Sequence, residues 1–177
     1  MADFNQDSAE THVYTYKEGL LSAVAHDLKI KITRFSLKIE KGAVEGRWDA
    51  GSLIVASVMR DGHEATGLGQ RDFDKIAHTI GDDILEARRH PEIRFAASDV
   101  SVAGERATIR GQLTLVGRTR PLVIEAKLVD GRWVAEVVLH QPDFGIKPYS
   151  AMFGTLKIKP DVKVRVSVPA DRIDVGV

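Results

Sequence analysis

Hydrophobic and polar residues alternate along most of the chain after residue 12, and this two-residue period is typical of β-strands with one buried face. In residues 156–168, apolar side chains hold the even positions, and lysine or arginine holds four of the odd ones. Similar segments cover 107–115, 122–128 and 133–139, and Asp130-Gly131 predicts a tight hairpin turn between the last two. The pattern predicts about eight strands.

The alternation changes phase once within a long strand. Hydrophobic residues hold even positions over 28–32 and odd positions over 35–39. A one-residue shift would move every later side chain to the other face of the sheet, so the change at Thr33-Arg34 predicts a β-bulge or a sharp bend. Both are common where a long strand curves around a barrel.

One segment has a helical period instead. Hydrophobic residues at positions 73, 76, 77 and 80 predict a helix. Gly81 predicts an interruption, after which Asp82 or Asp83 would cap a second short helix. We therefore expect one short helical insert between strands.

The domain organisation predicted from these elements is simple. Residues 1–11 are polar and lack a period, so we expect a flexible N-terminal tail; residues 12–170 then form a single domain, and residues 171–177 form a C-terminal tail. A length of 177 residues agrees with one domain. Antiparallel strands with one apolar face can close into a barrel or stack as a sandwich, and the periodicity leaves both open.

The amino-acid composition excludes several classes of binding partner and several kinds of site. The 25 basic and 25 acidic residues leave no net charge, so the chain lacks the positive field that holds a nucleic-acid backbone. The absence of cysteine excludes disulfides, thiol nucleophiles and thiolate metal sites. The sequence contains no secretory signal and no apolar run of about 18 residues that would cross a membrane. It therefore predicts a soluble, cytoplasmic protein without a transmembrane segment that does not bind nucleic acid.

Catalytic and metal-binding motifs are missing from the sequence. There are six histidines but no HExxH or HxH pattern, and there is no GxSxG or SxxK serine motif. We predict no metal, no cofactor and no catalytic residue. An enzyme alternative stays open through His26, Asp27 and His140, although neighbours such as the first two would point to opposite faces of a strand.

The best candidate for a binding site in this sequence is the hydrophobic surface that the predicted strands direct toward the interior. A wide barrel would make this surface a ligand cavity, and a narrow one would make it a filled core. The predicted ligand-binding residues are Leu28, Ile30, Ile32, Ile109, Leu113, Leu115, Leu122, Ile124, Trp133, Val137 and Phe144. Head-group contacts are predicted at Tyr149 and at Arg118 and Arg120, a pair in a turn that can bind an anion or remain solvated.

A series of short motifs occurs in order along the chain. Arg71-Asp72 opens the helical segment and residues 90–95 follow it; residues 112–122, the Asp-Phe-Gly-Ile stretch 143–146 and the strand 156–158 complete the series. Together they resemble the YceI-like family of lipocalin-like lipid-binding proteins. The resemblance implies an all-β, eight-stranded antiparallel barrel with a helical excursion that binds isoprenoid or similar chains. It also implies frequent homodimers and frequent export, and it supplies no catalytic residue.

Three hypotheses about function follow. The first is a non-enzymatic carrier or sequestering protein for a long hydrophobic ligand, either an isoprenoid or a fatty chain. The second is an enzyme that acts on a small apolar substrate inside the barrel. The third is a stress-related interaction protein whose barrel is filled by its own side chains, and a structure without internal volume would favour it.

Overall fold

Strands make up most of the molecule. The computed structural model describes residues 1–18, 26–151, 154 and 156–174. The strands are β1 (Ala2–Asn5), β2 (Glu10–Thr15), β3 (Lys17–Glu18), β4 (Asp27–Ile32), β5 (Phe35–Glu40), β6 (Ala43–Asp49), β7 (Leu53–Arg60), β8 (His63–Ala65), β9 (Glu92–Ala103), β10 (Arg106–Leu115), β11 (Arg118–Val129), β12 (Arg132–His140), β13 (Ser150–Ala151), β14 (Leu156–Ile158) and β15 (Asp161–Pro169). The insert contains helix α1 (Gln70–Thr79). The predicted all-β class is confirmed.

Eight long barrel strands close the sheet into a ring. β4 and β5 are two halves of one bent strand, and β6 and β7 are two halves of the next. The antiparallel order is then β4/β5, β6/β7, β9, β10, β11, β12, β15 and β2, and β2 pairs back onto β4. The described residues contain more than eight strand segments because bends divide the long strands and short strands extend the edges.

The bend between β4 and β5 lies at Thr33-Arg34, where the phase of the hydrophobic pattern changes. The Thr33 N–H donates to the Ser52 carbonyl at 3.0 Å, and the Asp49 N–H donates to the Arg34 carbonyl at 3.0 Å. The neighbouring long strand therefore follows the same bend. This confirms the interpretation of the phase change, and it explains how one hydrophobic face keeps pointing inward along a curved wall.

The N-terminal segment corrects the flexible tail predicted over residues 1–11. Ala2–Asn5 forms β1 and pairs in antiparallel register with β5. The side chain of Phe4 is buried, with only 3% of its surface exposed. Four residues are too few to display a period, and the strand that stabilises them lies far away in sequence, so the local pattern could not reveal β1.

The C-terminal tail predicted over residues 171–177 begins inside a 3₁₀ turn, Ala170–Arg172. The Arg172 guanidinium donates to the Asp3 carbonyl at 2.8 Å and lies 4.7 Å from the centre of the Phe4 ring. These contacts fasten the turn to β1. Residues 175–177 lie outside the described part of the chain.

The helical insert is continuous, and this corrects the two separate helices predicted around Gly81. α1 runs directly into a π-helical turn over Ile80–Ile84, in which the Leu85 N–H donates to the Ile80 carbonyl at 2.9 Å. The backbone bond spans five residues, so the helix widens at the glycine and does not end there. The wider turn keeps both isoleucines directed toward the barrel interior.

Candidate functional site

A large cavity occupies the interior of the barrel on the side of the helical insert. Its volume is about 1030 Å³, at the upper end of the range of about 300–1,000 Å³ that ligand pockets usually span. Valine, leucine and isoleucine side chains supply most of the lining, and each of the eight barrel strands contributes at least one of them. The barrel is therefore wide enough to hold a ligand, and its core does not fill it.

Eight of the eleven residues predicted to line the barrel lie in the wall of this cavity. Leu28, Ile30 and Ile32 come from β4, and Val137 comes from β12. The other four belong to the neighbouring strands β10 and β11: Leu113, Leu115, Leu122 and Ile124. Period-two alternation is sufficient to bring these side chains together, because every second residue of a closed sheet faces its interior.

Three of the predicted lining residues lie outside the cavity wall. Trp133 lies near the start of β12, opposite Val168 of β15, at the end of the strand away from the cavity. It packs in a second hydrophobic cluster with Phe4. Ile109 precedes a register shift in β10 and packs against the main core. Phe144 belongs to a 3₁₀ helix and is buried in that same core. Alternation identifies the inward face of a strand, but it does not locate a residue along the barrel axis.

Trp48 separates the cavity from the second hydrophobic cluster. Its side chain lines the cavity and also packs against residues of that cluster. The indole Nε1–H donates to Thr11 Oγ1 at 3.0 Å, and Thr11 is only 1% exposed. Because a buried indole N–H needs an acceptor, this bond fixes the ring as the floor of the cavity.

Helix α1 and the π-helical turn cover the opposite end, which we call the mouth. Ile76, Ile80 and Ile84 face the cavity. The helical spacing of hydrophobic residues in the sequence indicated that this helix has an apolar face. The predicted lining residues do not include these isoleucines, because helical spacing identifies an apolar face but not the surface against which it packs. Arg71 and Lys75 stand one turn apart on the helix at the same rim.

Few polar atoms reach the interior near the mouth. Among the described residues, Thr15 Oγ1 is the one buried side-chain oxygen or nitrogen without a hydrogen-bond partner, and Thr15 lines the cavity. Gln141 also lines it and donates through Nε2 to the Lys159 carbonyl at 3.2 Å. Tyr149 lines the rim and is 39% exposed. The site therefore combines a long apolar interior with a small polar zone at one end.

The two arginines predicted as head-group contacts lie elsewhere. Arg118 and Arg120 are exposed at the start of β11 and are not part of the cavity wall. The guanidinium of Arg118 lies over the backbone of Gly145, and Arg120 donates to the Thr119 carbonyl at 3.2 Å. Both arginines share the strand face of Leu122 and are opposite Leu115 and Leu113 of β10, but they lie at the starting end of β11, beyond the cavity wall.

The residues of the enzyme alternative do not converge. His26 lines the cavity, whereas the adjacent Asp27 accepts a hydrogen bond from the Lys17 N–H at 2.8 Å. His140 lies on the exposed face of β12, with its Nδ1 atom 2.6 Å from Asp161 Oδ1. No arrangement of base and orienting carboxylate faces the cavity among these three residues. Within the described ranges, no group of three or more metal-ligating side chains is present.

Sequence and structure comparisons place the chain among known proteins. The family model of the YceI-like domain matches residues 4–170. A UPF0312 protein of Pseudomonas aeruginosa is 35% identical over 84 residues, which cover 42% of this chain and 44% of that protein. Protein YceI of Escherichia coli O157:H7 is 30% identical over 92 residues, or 46% of this chain and 48% of that protein. The chain thus aligns with about half the length of these relatives.

Solved structures share the fold at low sequence identity. Burkholderia cenocepacia BcnA superposes with a TM-score of 0.62 at 12% identity, covering 90% of this chain and 94% of that one. A polyisoprenoid binding domain from Saccharophagus degradans, implicated in plant cell wall breakdown, has a TM-score of 0.59 at 14% identity and covers 95% and 97%. At these identities the likeness shows the fold alone. No helix of the described residues is long and apolar enough to cross a membrane.

Proposed function

Because the chain belongs to the YceI-like family, we propose that it binds one long hydrophobic chain, isoprenoid or fatty, inside the barrel. The observation that carries this proposal is the cavity of about 1030 Å³ with its lining of aliphatic side chains. Binding there sequesters the chain from water and permits its carriage between sites, and it requires no chemical step. The polyisoprenoid binding domain with the same fold supports this class of ligand.

The size of the cavity sets the length of ligand it accepts. At about 30 Å³ for each non-hydrogen group, the volume of a water molecule in the liquid, the cavity holds on the order of 30 carbon atoms. Burying about 15 methylene-sized groups contributes roughly 12 kcal/mol at about 0.8 kcal/mol each. Loss of translational and conformational freedom offsets a large part of this gain, so micromolar affinity is reached without any polar contact.

The polar zone at the mouth orients the ligand. We assign the head-group contact to Tyr149, since it alone of the three predicted contacts lines the cavity. The buried hydroxyl of Thr15 has no hydrogen-bond partner within the protein, so it can form a hydrogen bond with a polar atom of the ligand. A ligand whose polar end stays at the mouth leaves only apolar atoms to pass Leu28 and Ile30 toward the floor.

Lipid analysis of the purified protein tests the proposal directly. Native mass spectrometry and organic extraction should reveal a bound hydrophobic chain, and delipidated protein should take up a fluorescent prenyl or fatty-chain probe. Protein that carries no lipid and takes up neither probe would refute the proposed function. Light scattering on the same sample tests the homodimer that the family resemblance implies, which stays a prediction.

A further inference from the structure

Two neighbouring barrel strands are joined along only part of their length. β11 pairs with β12 from Val129 opposite Arg132 as far as Glu125 opposite Glu136. The remaining parts, residues 118–124 and 137–140, have no ladder bonds to each other, although both are described. Neither strand frays there, because β11 stays paired with β10 and β12 stays paired with β15 through those residues. We call this gap in the ladder the wall break.

The residues at the wall break explain why pairing stops. Glu125 and Glu136 are directly opposite in the last pair of the ladder, and like charges at that position repel each other. Glu136 also forms ion pairs with two basic side chains of β15, on the side away from β11. Pro121 lies farther along β11 and has no N–H to offer to a ladder. The break begins near the middle of the barrel and extends to the mouth, where β12 leads into Gln141 in the cavity wall.

A short segment contacts β11 at the break. The 3₁₀ helix Gln141–Phe144 follows β12 and packs beside β11, and Phe144 and Ile146 are buried. Gly145 adopts a φ of 71°, and the Cζ atom of Arg118 would be 2.7 Å from a Cβ at this position. The Arg118 side chain of β11 therefore lies directly on this segment, which we call the 141–146 segment.

Apolar side chains continue from the cavity to the outer surface at the wall break. Leu122 and Leu139 face the cavity from its two sides. Val123 and Val138 point outward from the same two sides with 54% and 60% of their surfaces exposed. Charged side chains hold the outward positions next to them toward the paired part of the wall, as at Glu125 and Glu136. A hydrophobic chain that crosses the wall here stays in contact with apolar side chains throughout.

We propose that the wall break is the route by which the ligand enters and leaves the cavity, with the 141–146 segment as its gate. The inference rests on the proposed function, and it names the path of exchange rather than the bound ligand. Passage on the other side of either strand, between β10 and β11 or between β12 and β15, would break a continuous ladder of hydrogen bonds. At the wall break those bonds are already missing, so opening requires only that the 141–146 segment move away from β11.

Introduced cysteine pairs test the route, since the natural chain has no cysteine. Val123→Cys with Val138→Cys places thiols on both sides of the wall break. Lys127→Cys with Val134→Cys is the matched control, because these residues are directly opposite in the paired part of the same strands. Each pair is joined by a short bismaleimide in delipidated protein, and uptake and release of a fluorescent long-chain fatty acid are followed by stopped flow.

We expect the tether across the wall break to slow uptake and release by about tenfold or more while changing the probe Kd by less than about threefold. The control tether should leave both rates unchanged. Equal rates in the two tethered variants would overturn the proposal and leave the mouth beneath α1 as the route. Failure of the untethered protein to bind the probe would instead overturn the proposed function, so the two failures are distinguishable.

A single substitution provides a second test that does not depend on tethering. Glu125→Lys replaces the like-charged pair with Glu136 by an opposite-charged pair and favours pairing at the edge of the break. We expect exchange to slow by about twofold to fivefold, with a smaller effect in Glu125→Gln, which removes the repulsion without adding an attraction. Unchanged exchange in Glu125→Lys, with a folded barrel by circular dichroism, would count against the proposal.

Discussion

Filling the cavity with a larger side chain should weaken ligand binding without unfolding the barrel. Ala135 is the smallest side chain in the wall contributed by β12, and it faces the interior between Ala126 and Val166 of the adjacent strands. Ala135→Phe adds about six ring carbons. The empty space beside Ala135 receives the ring, so the overpacking that usually destabilises a filled core should not arise.

The expected loss of affinity follows from the volume that the ring occupies. If the ring excludes about three methylene groups of the ligand, binding weakens by roughly 2.5 kcal/mol at about 0.8 kcal/mol each. This corresponds to an increase in Kd on the order of 70-fold. A cavity of about 1030 Å³ still accommodates a short chain beside the ring, so the effect should grow with the length of the ligand.

Fluorescence titration with fatty-chain probes of increasing length measures this dependence. Val134→Phe is the matched control, because the adjacent residue of β12 points away from the cavity and should leave every Kd unchanged. Thermal unfolding checks that both variants remain folded. If Ala135→Phe binds long probes as tightly as the natural protein does, the ligand does not occupy this cavity and the reasoning is refuted.

Three further predictions concern stability. Thr11→Val removes the acceptor of the Trp48 indole N–H and should lower the free energy of unfolding by about 1–3 kcal/mol, whereas Thr11→Ser should have a smaller effect. Burial, and then the Lys29 ammonium, lower the pKa of His12 from its ordinary value of 6.5. As the pH falls, the unfolded chain therefore binds a proton at His12 before the folded chain does, and the free energy of unfolding should decrease as the pH drops through about 6.5. The decrease should be smaller in His12→Gln. Equal denaturation midpoints across that pH range would contradict this prediction. Phe4→Ala should lower the free energy of unfolding by about 3 kcal/mol in chemical denaturation, and no change would mean that β1 does not pack.

The sequence predicted those features that depend on local periodicity. Alternation identified the inward faces of β4, β10, β11 and β12, and the phase change at Thr33-Arg34 identified a bend. The ordered motifs identified the family, which the match over residues 4–170 confirms. Each of these signals is carried by neighbouring residues, and each can be read without knowledge of the chain's distant contacts.

Features that depend on distant contacts could not be predicted in this way. β1 is stabilised by β5 and by the contact between Phe4 and Arg172, so its own four residues carry no sufficient signal. Trp133 has the correct parity for the cavity but lies beyond the floor that Trp48 makes. The width of the barrel is the distance between strands on opposite sides of it. The pattern of residues along one strand contains no information about that distance.

The pairing that closes the ring also determines when the interior can form. β15 near the end of the chain pairs with β2 near its beginning, from Lys163 opposite Tyr14 to Ser167 opposite Glu10. During synthesis the hairpins from β9 to β12 can form as soon as they leave the ribosome, but the ring stays open until β15 emerges. Contacts of such long sequence separation slow folding, and the inward faces are exposed to other chains in the meantime. We therefore expect a hydrophobic ligand present during refolding to suppress aggregation by covering those faces before the last strand arrives.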